Sequence, residues 1–153
     1  MVAPIDSTVD TLRHSRRVDE LLLQMVASVH DRITKHDASK LEDPEKAIFD
    51  EYGPKLKTST YGSDEYKGFL AEMRVALDHH YANNRHHPEH FEDGVAGMTL
   101  VDLVEMLADW KAASERHADG DLAVSLRIQR ERFGLSDQLA SILENTARAA
   151  GWI

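Results

Sequence analysis

Apolar residues recur at helical spacing through most of this chain. In the first segment they run from Leu12 through Val18, Leu21 and Met25 to Val29, so one face of a helix is apolar. No segment shows the convincing two-residue alternation of a strand. The pattern predicts an all-α fold in which one domain, residues 1–153, packs about six helices as a bundle. These helices are expected near residues 7–33, 44–53, 64–83, 100–118, 121–133 and 136–149.

Local sequence signals suggest where these helices begin and end. Asp43 followed by Pro44 favours a helix start, and Gly53-Pro54 is expected to end that helix. Residues 85–98 are rich in histidine, glycine and acid, so they are expected to form a loop. The apolar stripes predict a shared core of Leu21, Leu22, Met25, Phe69, Met73, Leu77, Leu103, Leu107 and Trp110.

Composition narrows the class of protein. Hydrophobic residues make up 42% and charged residues 29%, which is typical of a globular domain. The net charge of −9 disfavours binding to a nucleic-acid polymer or an anionic membrane. The chain has no cysteine, which excludes disulfides and cysteine-bound zinc. It shows no secretion signal and no apolar run of about 20 residues, so a cytoplasmic location is expected.

Histidine is unusually frequent, with nine residues in the chain. Five of them fall between His79 and His90. His80 continues the apolar stripe of the third predicted helix, so it should point inward, whereas His79 should point about 100° away. The segment suggests metal ligands or substrate contacts; an exposed polar loop is the alternative.

Four further residues are candidate metal ligands. His36 and Asp37 are adjacent and offer the mixed nitrogen and oxygen donors that suit a divalent cation. His14 lies on the apolar face of the first helix, and Asp109 lies inside an apolar helix, where a carboxylate must be paired or bind metal. A surface His-Asp pair, a core histidine and a solvated acidic face are the alternatives.

The order of these residues resembles the HD-domain metalloenzyme superfamily. Arg13-His14-Ser15-Arg16-Arg17-Val18 is similar to the family's first-histidine helix, His36-Asp37-Ala38-Ser39-Lys40 to its His-Asp-x-Gly-Lys variant, and Leu107-Ala108-Asp109-Trp110 to its last aspartate helix. The stretch from His79 through His117 also resembles a bacterial and phage family without an assigned reaction. The resemblance implies an HD-like fold in which His14, His36, Asp37 and Asp109 bind one metal. His80, with one of His86, His87 or His90, would bind a second.

The resemblance implies a metal-dependent phosphohydrolase that acts on a nucleotide or a similar phosphate ester. One or two divalent cations (Mn, Co, Mg, Zn or Fe) would serve as cofactors. Lys40 and Arg85 could neutralise phosphate charge, and Glu89 or Glu105 could act as general base. Lys40 stands where many HD nucleotidases carry a glutamate, whereas the extra histidines resemble the two-metal branches of the superfamily.

Two other functions remain open from the sequence. The same ligands could hold two irons in an oxygenase of a small substrate, because histidine and carboxylate also suit iron. A metal-binding helical protein without catalysis would carry the same residues but a closed coordination shell. The expected partner is a small molecule, with neither a nucleic-acid polymer nor a membrane involved, and a homo-oligomer stays open.

Overall fold

The computed structural model describes residues 6–60, 63–116 and 120–153. These residues form seven α-helices and no strand, which confirms the all-α prediction. None of the described helices is long and apolar enough to cross a membrane. In chain order they are α1 (Thr8–Lys35), α2 (Glu45–Thr58), α3 (Asp64–Glu72), α4 (Arg74–Asn83), α5 (Leu100–Ser114), α6 (Leu122–Phe133) and α7 (Asp137–Ala149).

Three of the predicted helices differ notably from the structure. The second helix continues through Pro54 to Thr58, although Pro54 lacks the N–H group for one intrahelical hydrogen bond. The third predicted helix is divided into α3 and α4 at the buried residue Met73, whose ψ of 3° lies outside the α-helical range. The helix expected over 100–118 ends at Ser114, and residues 117–119, including His117, lie outside the described residues.

The main core lies between the last three helices. Met106 and Leu107 of α5 are 0% and 1% exposed, and Trp110 stacks against Phe133 of α6. A second buried group lies on the first turn of α4, where Met73 and Ala76 are fully buried. Burial of Met73, Leu107 and Trp110 confirms that part of the core prediction, and Phe69, Leu77 and Leu103 are half-buried. The main core comprises Met106, Leu107, Trp110, Leu122, Leu126, Leu135, Leu143 and Ala147.

The core prediction is wrong for the first helix. Leu21, Leu22 and Met25 are 44%, 58% and 46% exposed. The reason lies in the packing of α1. Among the described helices it makes extensive contact with α5 alone, and this contact involves the last two turns of α1. Arg32 of α1 contacts Asp102, and His36 contacts Glu105.

Asp102 joins three segments around the start of α5. Its side chain and that of Thr99 cap the helix reciprocally, in the arrangement known as a capping box. Arg32 of α1 donates a hydrogen bond to Asp102 at 2.9 Å. Arg85 donates two more at 3.0 Å from residues 85–98, called here the histidine-rich segment. Because Asp102 is fully buried, these contacts fix α1 and the histidine-rich segment against α5. This segment carries two short 3-10 helices, Pro88–His90 and Gly94–Gly97.

Candidate metal centre

The turn after α1 directs two adjacent side chains towards one centre. His36 caps α1, and Asp37 adopts a left-handed conformation with φ 56° and ψ 13°. Aspartate is one of the few residues other than glycine that adopt this region, at a cost of about 1–2 kcal/mol. The turn places His36 Nε2 3.7 Å from Asp37 Oδ2. A strained backbone at this point fits a functional site.

The end of α4 and the segment after it bring three histidines to the same centre. His80 and His86 are each 2% exposed, and His87 is half-buried. The Nε2 atoms of His80 and His87 lie 2.9 Å apart. Two neutral imidazoles can share one hydrogen bond in this arrangement, or they can direct two lone pairs at one cation.

Helix α5 supplies two carboxylates from one face, since Glu105 and Asp109 are four residues apart. Glu105 Oε1 lies 3.0 Å from His36 Nδ1 and 3.2 Å from His86 Nδ1. Asp109 Oδ1 lies 3.7 Å from His36 Nε2. Three of the four residues predicted to bind one metal, His36, Asp37 and Asp109, therefore lie close together, whereas the fourth, His14, is not among them.

Asp37 lies between two groups of possible ligands. Its Oδ1 atom is 3.4 Å from His80 Nε2 and 3.5 Å from His86 Nε2, whereas its Oδ2 atom faces His36. Within each group the candidate donor atoms lie within 4.8 Å of one another, close enough to hold one cation. One group is Asp37, His80, His86 and His87, and the other is His36, Asp37 and Asp109; His36, His86 and Glu105 form a third, overlapping set.

An unpaired polar atom supports a cation at this position. Asp37 Oδ1 is buried and has no hydrogen-bond partner among the described residues. An unsatisfied buried polar group costs about 1–3 kcal/mol, and more when it is charged. A cation bound between the imidazole nitrogens and Asp37 would satisfy its Oδ1 atom, so these residues fit a metal site.

Two carboxylates orient the imidazoles from behind. Glu45, fully buried at the start of α2, lies 2.8 Å from His80 Nδ1 and 2.7 Å from His79 Nδ1. Because a carboxylate only accepts hydrogen bonds, Nδ1 of His80 carries the proton and its Nε2 lone pair faces the centre. Glu105 holds His36 in the same way. Such carboxylate–histidine pairs are the usual support of metal-bound imidazoles.

The electrostatic environment keeps two of the histidines neutral. Burial, together with the neighbouring His86 and His80, lowers the pKa of His87 to about 3. Burial and the nearby Lys40 also lower the pKa of His80. Only a neutral imidazole can bind a cation, so both are in the required state at neutral pH.

Negative charge accumulates on the other side of the centre. Hydrogen bonds to Asp109 and Glu105 raise the pKa of His36 to about 10. Burial opposes ionisation of Glu105, but hydrogen bonds from His36 and His86 outweigh it and lower its pKa to about 2. The carboxylates therefore call for positive charge at this point, which either a proton on His36 or a bound cation supplies.

Lys40 contacts the centre through Asp37. Its Nζ atom donates to Asp37 Oδ2 at 2.6 Å, from the 3-10 helix Ala38–Leu41. The hydrogen bond from Lys40 contributes to the lowered pKa of Asp37, although burial opposes it. Lys40 is thus the one predicted phosphate-neutralising residue that the structure brings to the cluster.

Several predicted site residues lie elsewhere. His14 is exposed on the same continuous helix as Lys35, and 22 residues separate it from His36, or about 33 Å along the axis. It therefore does not reach the centre of its own chain. Arg85 is bound to Asp102, Glu89 pairs with Arg132 at 2.8 Å, and His90 donates to the carbonyl of Tyr81.

Sequence reasoning missed the most buried carboxylate of the site. Glu45 is not among the predicted site residues, and it lies nine residues after His36 with no motif around it. Asn84, which donates to the His80 carbonyl and to Ser39 Oγ, is likewise not among the predicted site residues. Neither residue carries a local signal, because their role follows from burial beside His80.

A groove opens beside the centre between α1 and α5. It has a volume of about 280 Å³ and is lined mainly by aliphatic side chains of both helices, such as Val29, Ile33 and Val104. His36 and Asp109 lie in its wall. A molecule in the groove would therefore contact the candidate ligands directly.

Comparisons with known proteins give a family but no activity. A family model described as "Family of unknown function (DUF5662)" matches residues 4–149. No curated protein and no solved structure matches the chain.

Proposed function

This chain belongs to the DUF5662 family, and we propose that it is a metal-dependent phosphohydrolase whose centre holds two divalent cations on either side of Asp37. The preferred substrate class is a nucleotide or a similar phosphate ester. The proposal is supported by the geometry of the cluster and by the order of its residues along the chain.

The position of Asp37 carries the proposal. One of its oxygens faces His80 and His86, and the other faces His36. A carboxylate shared by two adjacent ligand groups is suited to a pair of cations, and paired cations about 3.5–4 Å apart are typical of phosphoryl-transfer sites. Such cations lower the pKa of bound water to about 7 and stabilise the attacking and leaving oxygens.

The protein residues then have distinct tasks. His36 and Asp109 bind on one side of Asp37, and His80, His86 and His87 bind on the other. Glu105 positions His36 and His86. With a pKa of about 2 it is a weak base at neutral pH. Lys40, at 2.6 Å from Asp37, limits the excess negative charge near an anionic substrate.

The groove beside His36 supports an ester with an organic group of moderate size. Its aliphatic lining suits the less polar part of a substrate, whereas the cations would bind the phosphate. A nucleoside or another compact alcohol meets this description. Inorganic polyphosphate lacks such a group and would leave the groove empty.

The HD-domain resemblance supports the same reaction class. The His-Asp pair, the later histidines and the helical Asp109 follow in the expected order, and they converge in space. His14 departs from the pattern, because it does not reach the centre within one chain. The resemblance therefore rests on the ligands from His36 onwards.

Phosphate release from a panel of nucleotides and simple phosphate esters tests the proposal. The protein would be stripped of metal and then assayed with Mn²⁺, Co²⁺, Mg²⁺ or Zn²⁺. We expect metal-dependent hydrolysis of at least one ester, loss of at least 100-fold in Asp37→Asn, and little change in His30→Ala, an exposed histidine of α1. Absence of hydrolysis with every metal would overturn the assignment.

The second candidate is an iron-dependent oxygenase of a small substrate. The observation that favours it is the imidazole-rich ligand set next to an aliphatic groove, because histidine and carboxylate ligands also suit iron. Substrate-dependent oxygen consumption by iron-loaded protein, without phosphate release, would establish this reading instead.

A further inference from the structure

One face of α1 is apolar over most of its length. Seven large apolar residues of this face fall within an arc of about 140° when successive residues are placed 100° apart. The residues of this stripe between Val18 and Val26 are 37–61% exposed, and Ile33 at its end is 71% exposed. The stripe consists of Val18, Leu21, Leu22, Met25, Val26, Val29 and Ile33.

The stripe extends beyond the helix that it packs against. The pairs Arg32–Asp102 and His36–Glu105 show that α1 and α5 run side by side in the same direction. Because α5 begins at Leu100, it accompanies only the end of α1. Every residue over 8–28 is exposed, so an arm of about 30 Å projects from the body of the protein.

The middle of this arm is unusual for a solvated helix. The nine residues Leu21–Val29 carry no charge, and even Leu23, outside the stripe, is 66% exposed. A helix that is apolar on most sides is normally buried. Together with the exposed Leu100 and Val104 of α5, the stripe presents on the order of 800 Å², which is the area that one partner buries in a standard interface.

Shape favours a second copy in the opposite direction. A parallel pair would bring the two bodies to the same end, whereas an antiparallel pair separates the bodies. We propose that two copies of this chain form a dimer in which each α1 arm lies antiparallel along α1 of the other copy, in its α1–α5 groove.

The uncharged run sets the register. Its middle residue is Met25, so the two-fold axis passes near Met25 and Leu21 faces Val29 of the partner subunit. The same register brings residues 13–17 of the partner beside residues 33–37. Each arm then covers the groove next to His36 and Asp109.

Light scattering coupled to size exclusion tests the dimer without reference to metal or activity. We expect the wild type to be a dimer. Leu22→Glu should weaken the interface and raise the dimer Kd at least tenfold. Gln24→Glu is the matched control, because it adds the same charge to the same helix outside the stripe. Circular dichroism would verify that both variants remain helical. A monomeric wild type, or equal effects of both variants, overturns the proposal.

Cross-linking tests the direction, and the absence of native cysteine makes the readout clean. With a short bismaleimide we expect a covalent dimer for Met25→Cys, which lies near the axis. Val18→Cys should not cross-link, because an antiparallel pair separates its two copies by about 21 Å along the helix. Cross-linking of Val18→Cys as efficiently as Met25→Cys indicates a parallel pair and overturns the proposal.

Discussion

Oε2 of Glu45 lies 2.8 Å from Nδ1 of His80, and both side chains are almost completely buried. The contact connects the first turn of α2 to α4 and fixes which nitrogen of His80 faces the candidate metal centre. Glu45 thereby controls a ligand without approaching the centre itself.

Glu45→Gln should weaken metal binding while the helical fold remains. The amide keeps the size of the side chain but loses the charge that holds the imidazole proton. Loss of such a supporting carboxylate typically reduces affinity 10–100-fold. Competition with a chromophoric chelator measures this change, and Glu42→Gln, at an exposed position three residues earlier, is the control. Equal affinity in the two variants would show that Glu45 has no part in orienting His80.

The number of bound cations should respond differently to three ligand substitutions. Asp37→Asn should lose both cations, because Asp37 lies between the two groups. His80→Ala and Asp109→Asn should each lose about one, on opposite sides of Asp37. Elemental analysis of the purified variants gives the ratios, with His30→Ala as the unaffected reference. If the wild type holds only one cation at saturation, the two-cation arrangement is wrong.

Removal of metal should destabilise the folded protein. Chelation leaves the Oδ1 atom of Asp37 buried without a partner, and a ligand present at 100 times its Kd contributes about 2.7 kcal/mol. We expect the Tm to fall after chelation and to recover when the cation is restored, as measured by calorimetry. A Tm that is independent of metal would contradict binding to the native state.

Asp102→Asn should destabilise the junction of α1, α5 and the histidine-rich segment. Two arginines lose a buried carboxylate, and hydrogen bonds to charged groups are worth about 1.5–3 kcal/mol each; their partial exposure should limit the total to about 3 kcal/mol. Chemical denaturation measures the loss of unfolding free energy. The control is Asp50→Asn, on the exposed face of α2. Asp121→Asn would not serve, because Asp121 caps α6.

The same junction predicts a pH dependence. Burial opposes ionisation of Asp102, but hydrogen bonds from Arg85 and Thr99 lower its pKa below the usual value. A lowered pKa in the folded state stabilises the protein above the unfolded pKa of about 3.9, and this contribution is lost as the pH falls further. The difference between wild type and Asp102→Asn should therefore be full at pH 7 and shrink below about pH 4. A difference that grows on acidification would contradict this assignment.

Leu107→Ala should cost about 2–5 kcal/mol of unfolding free energy, because Leu107 is 1% exposed in the core between α5, α6 and α7. Val75→Ala, at a side chain that is 63% exposed, should change the stability by less than about 0.5 kcal/mol. Urea denaturation compares the two variants. Equal losses would mean that α5 does not pack as the structure shows.

The histidines illustrate how far sequence reasoning reached. Continuation of the apolar stripe correctly placed His80 inside, because side chains on one helix face share one environment. The same argument failed for His14, Leu21 and Met25, which also share a face. That face is apolar, but within one chain it extends beyond the first residue of α5 and meets no other described helix.

The sequence alone determined the local properties of this protein: about six helical segments follow largely from apolar periodicity and capping residues, and the His36-Asp37 pair marks the centre. Only the tertiary structure decided which partners meet there. Glu45, His86 and Glu105 come from three segments that are far apart in the chain, and nothing in their immediate neighbours encodes the contact. Periodicity depends on a few adjacent residues, whereas a ligand cluster depends on how whole helices pack against one another.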